Sequence, residues 1–188
     1  MNRNFESAMV EHCAPTLAGI KPASLFRCCP RSGEDTRQNA HRWDRALTPL
    51  GLRVTILKEC AHTGDCLIYV YRPGWINSLL VDAENKKFLA SCGYELGGMY
   101  LLLQQLSERL CLEKDYPHEI GLFLGYPLTD VVGFIENRGK NYTCCGCWKS
   151  YSDPAQVQKY FELCRQCTRR YRELYANEPD LLRLVVAA

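Results

Sequence analysis

The spacing of apolar residues along the first part of the chain predicts two helices. Apolar positions at helical spacing from Phe5 to Cys13 indicate a first helix, which Pro15 should end. A second helix is expected after Asp35, a residue type that favours the N-cap position. It should end near Gly51, because glycine is the usual residue just beyond a helix C-terminus.

A sheet is predicted from three segments rich in strand-forming residues. RVTILKEC and CLIYVYRP are separated by AHTGD, whose glycine suits a turn, and they predict an antiparallel hairpin over residues 52 to 60 and 66 to 72. TCCGCWKSY is a third candidate, over about residues 143 to 151. We expect the three segments to form one mainly antiparallel sheet with helices on one face.

Helical periodicity dominates the rest of the chain. It extends from residue 75 to 112 and returns in two short segments divided before Pro127, because the residue before proline avoids helical dihedrals. A final long helix should begin at Asp153 and reach about Tyr175.

No linker or repeat divides the chain. About six helices and about three strands therefore predict a single α+β domain over residues 1 to 188, with residues 176 to 188 as a C-terminal tail.

The charge pattern gives no reason to expect nucleic acid or membrane as a partner. The chain has 23 Lys and Arg against 21 Asp and Glu, without a block of like charges. Arg165, Arg169 and Arg172 share one helix face, but Glu162 and Glu173 border it, which predicts a salt-bridged surface. No apolar stretch approaches the roughly 20 residues that a membrane span needs.

Twelve cysteines are the unusual feature of the composition. The first residues, MNRNFESAMVEHCAP, lack the basic flank and apolar stretch of a signal peptide. We therefore expect a reducing cytoplasm, in which most of the thiols are free and fill the core.

Four of the cysteines, Cys144, Cys147, Cys164 and Cys167, form two Cys-x-x-Cys pairs with sixteen residues between them. This spacing resembles that of four-cysteine metal sites, so zinc or iron is the cofactor to consider. On a continuous strand, however, Cys144 and Cys147 would point to opposite faces, and Cys164 lies in the middle of an apolar helix face. We expect the four sulfurs not to converge, and a zinc-stapled interaction module remains an alternative.

A second candidate site combines Cys13 and His118. The segment TLAGI after Pro15 is interpreted as a new helical turn, whose amide dipoles would lower the pKa of a nearby thiol. His118, at the start of another predicted helix, would supply the base if the fold brings the two together. The alternative is a packed thiol and a solvent-exposed histidine.

Two glycines in PHEIGLFLGYP suggest that something approaches this segment closely. Gly121 and Gly125 lie four residues apart, where each costs about 1 kcal/mol relative to alanine if the segment is helical. Either another part of the protein packs against them or a ligand lies on the glycine face.

Three stretches of the sequence resemble a known family. EHCAPTLAGIKPASLF (residues 11 to 26), PHEIGLFLGYPLTDVVGFIENRGKN (residues 117 to 141) and GCWKSYSD (residues 146 to 153) look like DUF3793, an uncharacterised bacterial family common in anaerobes. The resemblance covers almost the whole chain in order. It implies a cytoplasmic single domain and implies no reaction.

Within the third stretch, the family pattern of glycine, one variable residue and Trp-Lys matches Gly146, Trp148 and Lys149. The leading hypothesis is an accessory protein that holds a small ligand or a metal through the region of Cys13, His118 and the two glycines, with an unknown small ligand or a protein as partner. The alternative is a thiol enzyme with Cys13 as nucleophile and His118 as base. The ligand-binding candidates are Lys21, Glu119, Gly121, Gly125, Trp148 and Lys149.

Overall fold

A computed structural model describes residues 4–29, 35–112 and 116–187. The elements in chain order are α1 (Phe5–Leu17), β1 (Ala23–Cys28), α2 (Thr36–Leu47), β2 (Arg53–Glu59), β3 (Cys66–Tyr71), α3 (Pro73–Val81), α4 (Ala83–Ser91), α5 (Met99–Leu112), α6 (Ile120–Phe123), α7 (Leu128–Glu136), β4 (Cys144–Cys145), β5 (Lys149–Ser150) and α8 (Pro154–Asn177). The predicted α+β class is confirmed. No helix in these ranges is both long and apolar enough to cross a membrane.

The main sheet has three antiparallel strands with β3 in the centre, flanked by β1 and β2. The predicted hairpin of β2 and β3 is confirmed. Along β3, Ile68 and Val70 enter one core cluster, whereas Tyr69 and Tyr71 enter another. Helices therefore cover both faces of the sheet, and the prediction of one covered face was wrong. The reason is visible in the continuous apolar run of β3, which is typical of a strand buried on both sides.

The third predicted strand does not join this sheet. Residues 143 to 151 form a separate hairpin in which Cys144 pairs with Ser150 and Cys145 with Lys149. The third position is taken by β1, whose sequence ASLFRC has no β-branched residue and so gave a weak strand signal.

The first helix continues through Pro15 to Leu17, so the predicted end at Pro15 was wrong. The proline removes the backbone donor that would bond to the carbonyl of Glu11, and the helix ends two residues later. The segment TLAGI, interpreted as a new helical turn, instead contains the end of α1 at Leu17. Gly19 follows with a φ of 71°. Asp35, in contrast, caps α2 as predicted, accepting hydrogen bonds from Arg37 N and Gln38 N.

The predicted C-terminal tail packs onto the α1 side of the molecule. Leu181 and Leu184 are buried in the same core cluster as α1. Arg72, which is only 2% exposed, donates hydrogen bonds to the carbonyl oxygens of Thr16, Leu17 and Val186. These bonds satisfy carbonyls at the end of α1 and tie the tail to it.

Candidate functional site

Two cavities lie on either side of Tyr126, and Leu124, Tyr126 and Cys147 line both of them. The first, the aromatic cavity, has a volume of about 330 Å³, and its other lining residues include Tyr116, His118, Gly121, Phe134, Trp148 and Lys149. The second, the basic cavity, has a volume of about 540 Å³, and its other lining residues include His12, Lys21, Arg165, Thr168, Arg169 and Arg172.

The aromatic cavity is held together by the buried carboxylate of Asp130 in α7. One of its oxygens accepts a hydrogen bond from Trp148 Nε1 at 2.7 Å, and the other accepts bonds from Tyr151 N and Ser152 Oγ, both at 2.8 Å. Burial opposes the charge of Asp130, but these hydrogen bonds outweigh it and hold its pKa below the usual value. The contacts fix the β4–β5 hairpin against α7 and set the position of Trp148.

Stacked rings form the wall of this cavity. Trp148 stacks on Tyr126 with ring centroids 4.7 Å apart and meets Phe161 edge-on, also at 4.7 Å. His118 lies at an angle of 61° to Phe134, with 4.9 Å between their centroids. The aromatic faces can hold a flat apolar group.

Lys149 has a structural role beside this wall. Its ammonium donates a hydrogen bond to the carbonyl oxygen of Gly139 at 2.8 Å and lies 5.0 Å from the ring centroid of Tyr142. The positive charge of Lys149 is therefore already satisfied by groups of the protein itself.

Lys21 enters the basic cavity from the turn between α1 and β1. The carbonyl oxygen of Pro15 accepts hydrogen bonds from Ile20 N at 2.8 Å and Lys21 N at 3.0 Å. Tyr160 in α8 donates to the carbonyl oxygen of Ile20 at 3.1 Å, which anchors the turn. Lys21 is 9% exposed, and its Nζ lies 5.0 Å from the ring centroid of Tyr126.

The ammonium of Lys21 makes no hydrogen bond or ion pair with any residue that the structure describes. Burial lowers its pKa, and the nearby thiols of Cys147, Cys164 and Cys13 oppose that shift. The ammonium is largely removed from solvent without being one of the fully enclosed polar atoms, so a group inside the cavity can reach it.

The other cations around the basic cavity are already paired. Arg165 forms an ion pair with Glu162, and Arg169 forms one with Glu173. Arg172 pairs with Glu11 of α1, which also lines the cavity. The predicted salt-bridged helix face is confirmed, and it leaves Lys21 as a distinct charge inside the cavity.

Two thiols complete this region. Cys147 lies in the turn between β4 and β5, and Cys164 lies in the middle of α8, where it is 2% exposed. The turn that carries Cys147 packs against α8, since Trp148 meets Phe161 edge-on at 4.7 Å, about one helical turn before Cys164, and each thiol shifts the pKa of the other. Cys164 therefore occupies the buried helix position that the sequence predicted.

A protein-family model described as "Protein of unknown function (DUF3793)" matches residues 9–185, almost the entire chain. The chain belongs to this family. No curated protein and no solved structure was found to match it. In this DUF3793 member, the three stretches that carry the family resemblance meet around Tyr126: the first supplies Lys21, the second Tyr126 itself, and the third Cys147 and Trp148.

The DUF3793 structure gives no support to a catalytic pair of Cys13 and His118. Cys13 lies inside α1 with no exposed surface, and burial raises its pKa more strongly than the charge of Lys21 lowers it. His118 is exposed at the aromatic cavity, against Tyr116 and Phe134. Burial therefore favours the protonated, unreactive form of this thiol.

The other predicted ligand residues, Glu119, Gly121 and Gly125, lie in three different environments. Glu119 is buried, accepts a hydrogen bond from Tyr94 at 3.1 Å and pairs with Arg109, outside both cavities. Gly121 lines the aromatic cavity. Gly125 has a φ of 77°, and a Cβ there would lie 2.0 Å from Pro22 Cγ, so close packing explains this glycine.

The four cysteines considered as metal ligands lie within the described residues. There, no group of three or more His, Cys, Asp or Glu side chains is arranged to hold a metal ion. Cys147 and Cys164 line the basic cavity, whereas Cys144 lines a different surface cavity together with Phe161. Sequence reasoning missed the combination of Lys21, Cys147 and Cys164, because nothing local relates the turn after α1 to the distant hairpin.

Proposed function

We propose that this protein binds a small organic anion in the basic cavity, with the anionic group at the ammonium of Lys21. The observation that carries the proposal is the largely desolvated ammonium of Lys21, a lining residue of the cavity that has no hydrogen-bond or ion-pair partner among the described residues. A carboxylate, sulfonate or phosphate oxygen would supply that partner through a charge-assisted hydrogen bond.

The rest of the cavity indicates what the ligand carries besides its charge. Pro15, Leu25, Leu124 and Tyr126 contribute apolar surface beside Lys21. A volume of about 540 Å³ falls within the range of small-molecule pockets. We therefore propose a ligand with one anionic group and a compact apolar body that packs against Tyr126.

The arginines on α8 add no net charge to the cavity, because Arg165, Arg169 and Arg172 are each paired with a glutamate. Lys21 is therefore the cation that remains for an anionic ligand among the described lining residues.

The free state of the thiols supports a proposed location in a reducing cytoplasm. All twelve cysteines lie within the described ranges, and each is a free thiol. Such a cysteine-rich chain would be prone to random disulfide formation in an oxidising compartment.

A pair of fluorescent probes tests the proposal. 1-Anilinonaphthalene-8-sulfonate carries an anionic group, whereas N-phenyl-1-naphthylamine has a similar shape and no charge. Lys21→Met should weaken binding of the sulfonate about tenfold to a hundredfold, because a hydrogen bond to a charged group contributes about 1.5–3 kcal/mol. Binding of the neutral probe should change less than threefold.

Two control variants show in which of the two cavities the sulfonate probe binds. Lys159→Met removes an exposed lysine from the same helix as the arginines and should leave both affinities unchanged. Phe134→Ala enlarges the aromatic cavity without touching the basic one. If Phe134→Ala weakens sulfonate binding and Lys21→Met does not, the ligand binds in the aromatic cavity and the proposal is wrong.

A further inference from the structure

We infer that Cys147 and Cys164 form a thiol–disulfide exchange site, in which Cys147 attacks the disulfide of a small molecule and Cys164 completes the exchange. The inference concerns a covalent reaction and stands independently of the proposed anion binding. It rests on the packing of the Cys147 turn against α8 near Cys164, on the unequal exposure of the two thiols and on the open cavity that both of them line.

The two thiols are positioned for different steps. Cys147 is exposed in the short turn of residues 146 to 148, so a reagent in the cavity can reach it. Cys164 is 2% exposed and is fixed within the long helix α8. An accessible attacking thiol beside a buried second thiol is the arrangement that exchange requires.

The surroundings favour a thiolate at the exposed position. The neighbouring Cys164 thiol lowers the pKa of Cys147; burial opposes this effect, and the positive charges of Lys21 and Arg165 reinforce it. The same interaction raises the pKa of Cys164. The pair therefore releases its first proton readily and keeps the second, which leaves one nucleophile and one protonated partner.

The reaction balances with a low-molecular-mass disulfide as the oxidant. The Cys147 thiolate bonds to one sulfur of the reagent, whose S–S bond breaks, and the first thiolate leaves and takes up a proton. Cys164 then loses its proton and attacks the Cys147 sulfur, releasing the second reagent thiol. Two protein thiols are oxidised to one disulfide, while one reagent disulfide is reduced to two thiols.

Closure of the disulfide requires the two sulfurs to approach to about 2.05 Å. Cys147 lies in a turn that is held by hydrogen bonds from Gly146 N to Trp148 O at 3.0 Å and from Tyr126 OH to Cys147 O at 3.3 Å. We expect this turn to move while α8 stays in place.

The test uses the reduced full-length protein with two reagents, oxidised glutathione and the uncharged hydroxyethyl disulfide, in the presence of a chelator. After alkylation of free thiols, intact mass and peptide mapping should show a Cys147–Cys164 disulfide with both reagents. Cys164→Ser should stop at a mixed disulfide on Cys147. Cys147→Ser should slow the first thiol loss at least tenfold.

Cys145→Ser is the matched control, because it removes an exposed cysteine from the same hairpin and should react like the wild type. The inference is overturned if Cys147→Ser reacts as fast as the wild type, or if mapping shows other pairs at equal yield. Hydroxyethyl disulfide carries no charge, so its reaction tests the thiols whether or not the cavity binds anions.

Discussion

Replacing Lys21 by methionine should make the ligand-free protein more stable while it removes anion binding. The side chain is 9% exposed, and its ammonium has no partner among the described residues. Methionine has similar length and flexibility, so the packing of the lysine stem against Tyr126 is retained. In a Cys147→Ser background, where no thiolate compensates the ammonium, removing the desolvated charge should stabilise the fold by about 2 kcal/mol, since replacing buried ionic groups by apolar ones commonly gains about 1–4 kcal/mol.

For a chain of this length that gain corresponds to a rise of about 4–8 °C in melting temperature, measured by differential scanning calorimetry. Lys159→Met, at an exposed position, should change it by less than about 2 °C. A fall in melting temperature for Lys21→Met would show that the protein itself satisfies the ammonium, and would refute the argument for a vacant anion site.

The pH dependence of this difference has a defined sign. Because burial lowers the pKa of Lys21 in the folded state, the unfolded chain holds more protons between that lowered value and about pH 10.4. Wild-type stability therefore rises with pH in this window, relative to Lys21→Met. The stability difference between the two proteins should shrink from pH 7 to pH 10, measured in a Cys147→Ser background so that no thiolate compensates the ammonium.

Three further predictions concern residues around the cavities. Gly125→Ala should lower the free energy of unfolding in urea by about 3 kcal/mol or more, because its φ is 77° and its Cβ would meet Pro22; a loss below about 1 kcal/mol would contradict this packing. Asp130→Ala should cost about 3 kcal/mol by leaving three donors without an acceptor, and an unchanged urea midpoint would argue against this anchor. Iodoacetamide at pH 7.5 should label Cys13 at least tenfold more slowly than Cys147; comparable rates would show that Cys13 is accessible.

The parts of the fold with strong local signals were predictable from the sequence. The β2–β3 hairpin follows from two β-rich runs around a glycine turn, and the start of α8 follows from Asp153 and Pro154. The strand β1 was missed because ASLFRC lacks β-branched residues, so its pairing with β3 gives it its structure.

The candidate site was predictable only in fragments. Lys21, Trp148 and Gly121 were recognised as candidates, but their separation into two cavities depends on the position of Tyr126, which has no signature in the sequence. Cys164 was correctly placed on a buried helix face, whereas the packing of the Cys147 turn near it arises because the hairpin turns back at Gly146. Such contacts join segments that are far apart in the sequence, so no local pattern predicts them.

The most direct test of the proposed function is a crystal structure of the protein with 1-naphthalenesulfonate. We expect a sulfonate oxygen within about 3 Å of Lys21 Nζ and the naphthalene ring against Tyr126 on the side of the basic cavity. A ring bound instead between His118 and Phe134 in the aromatic cavity, with Lys21 making no contact to the sulfonate, would contradict the proposal.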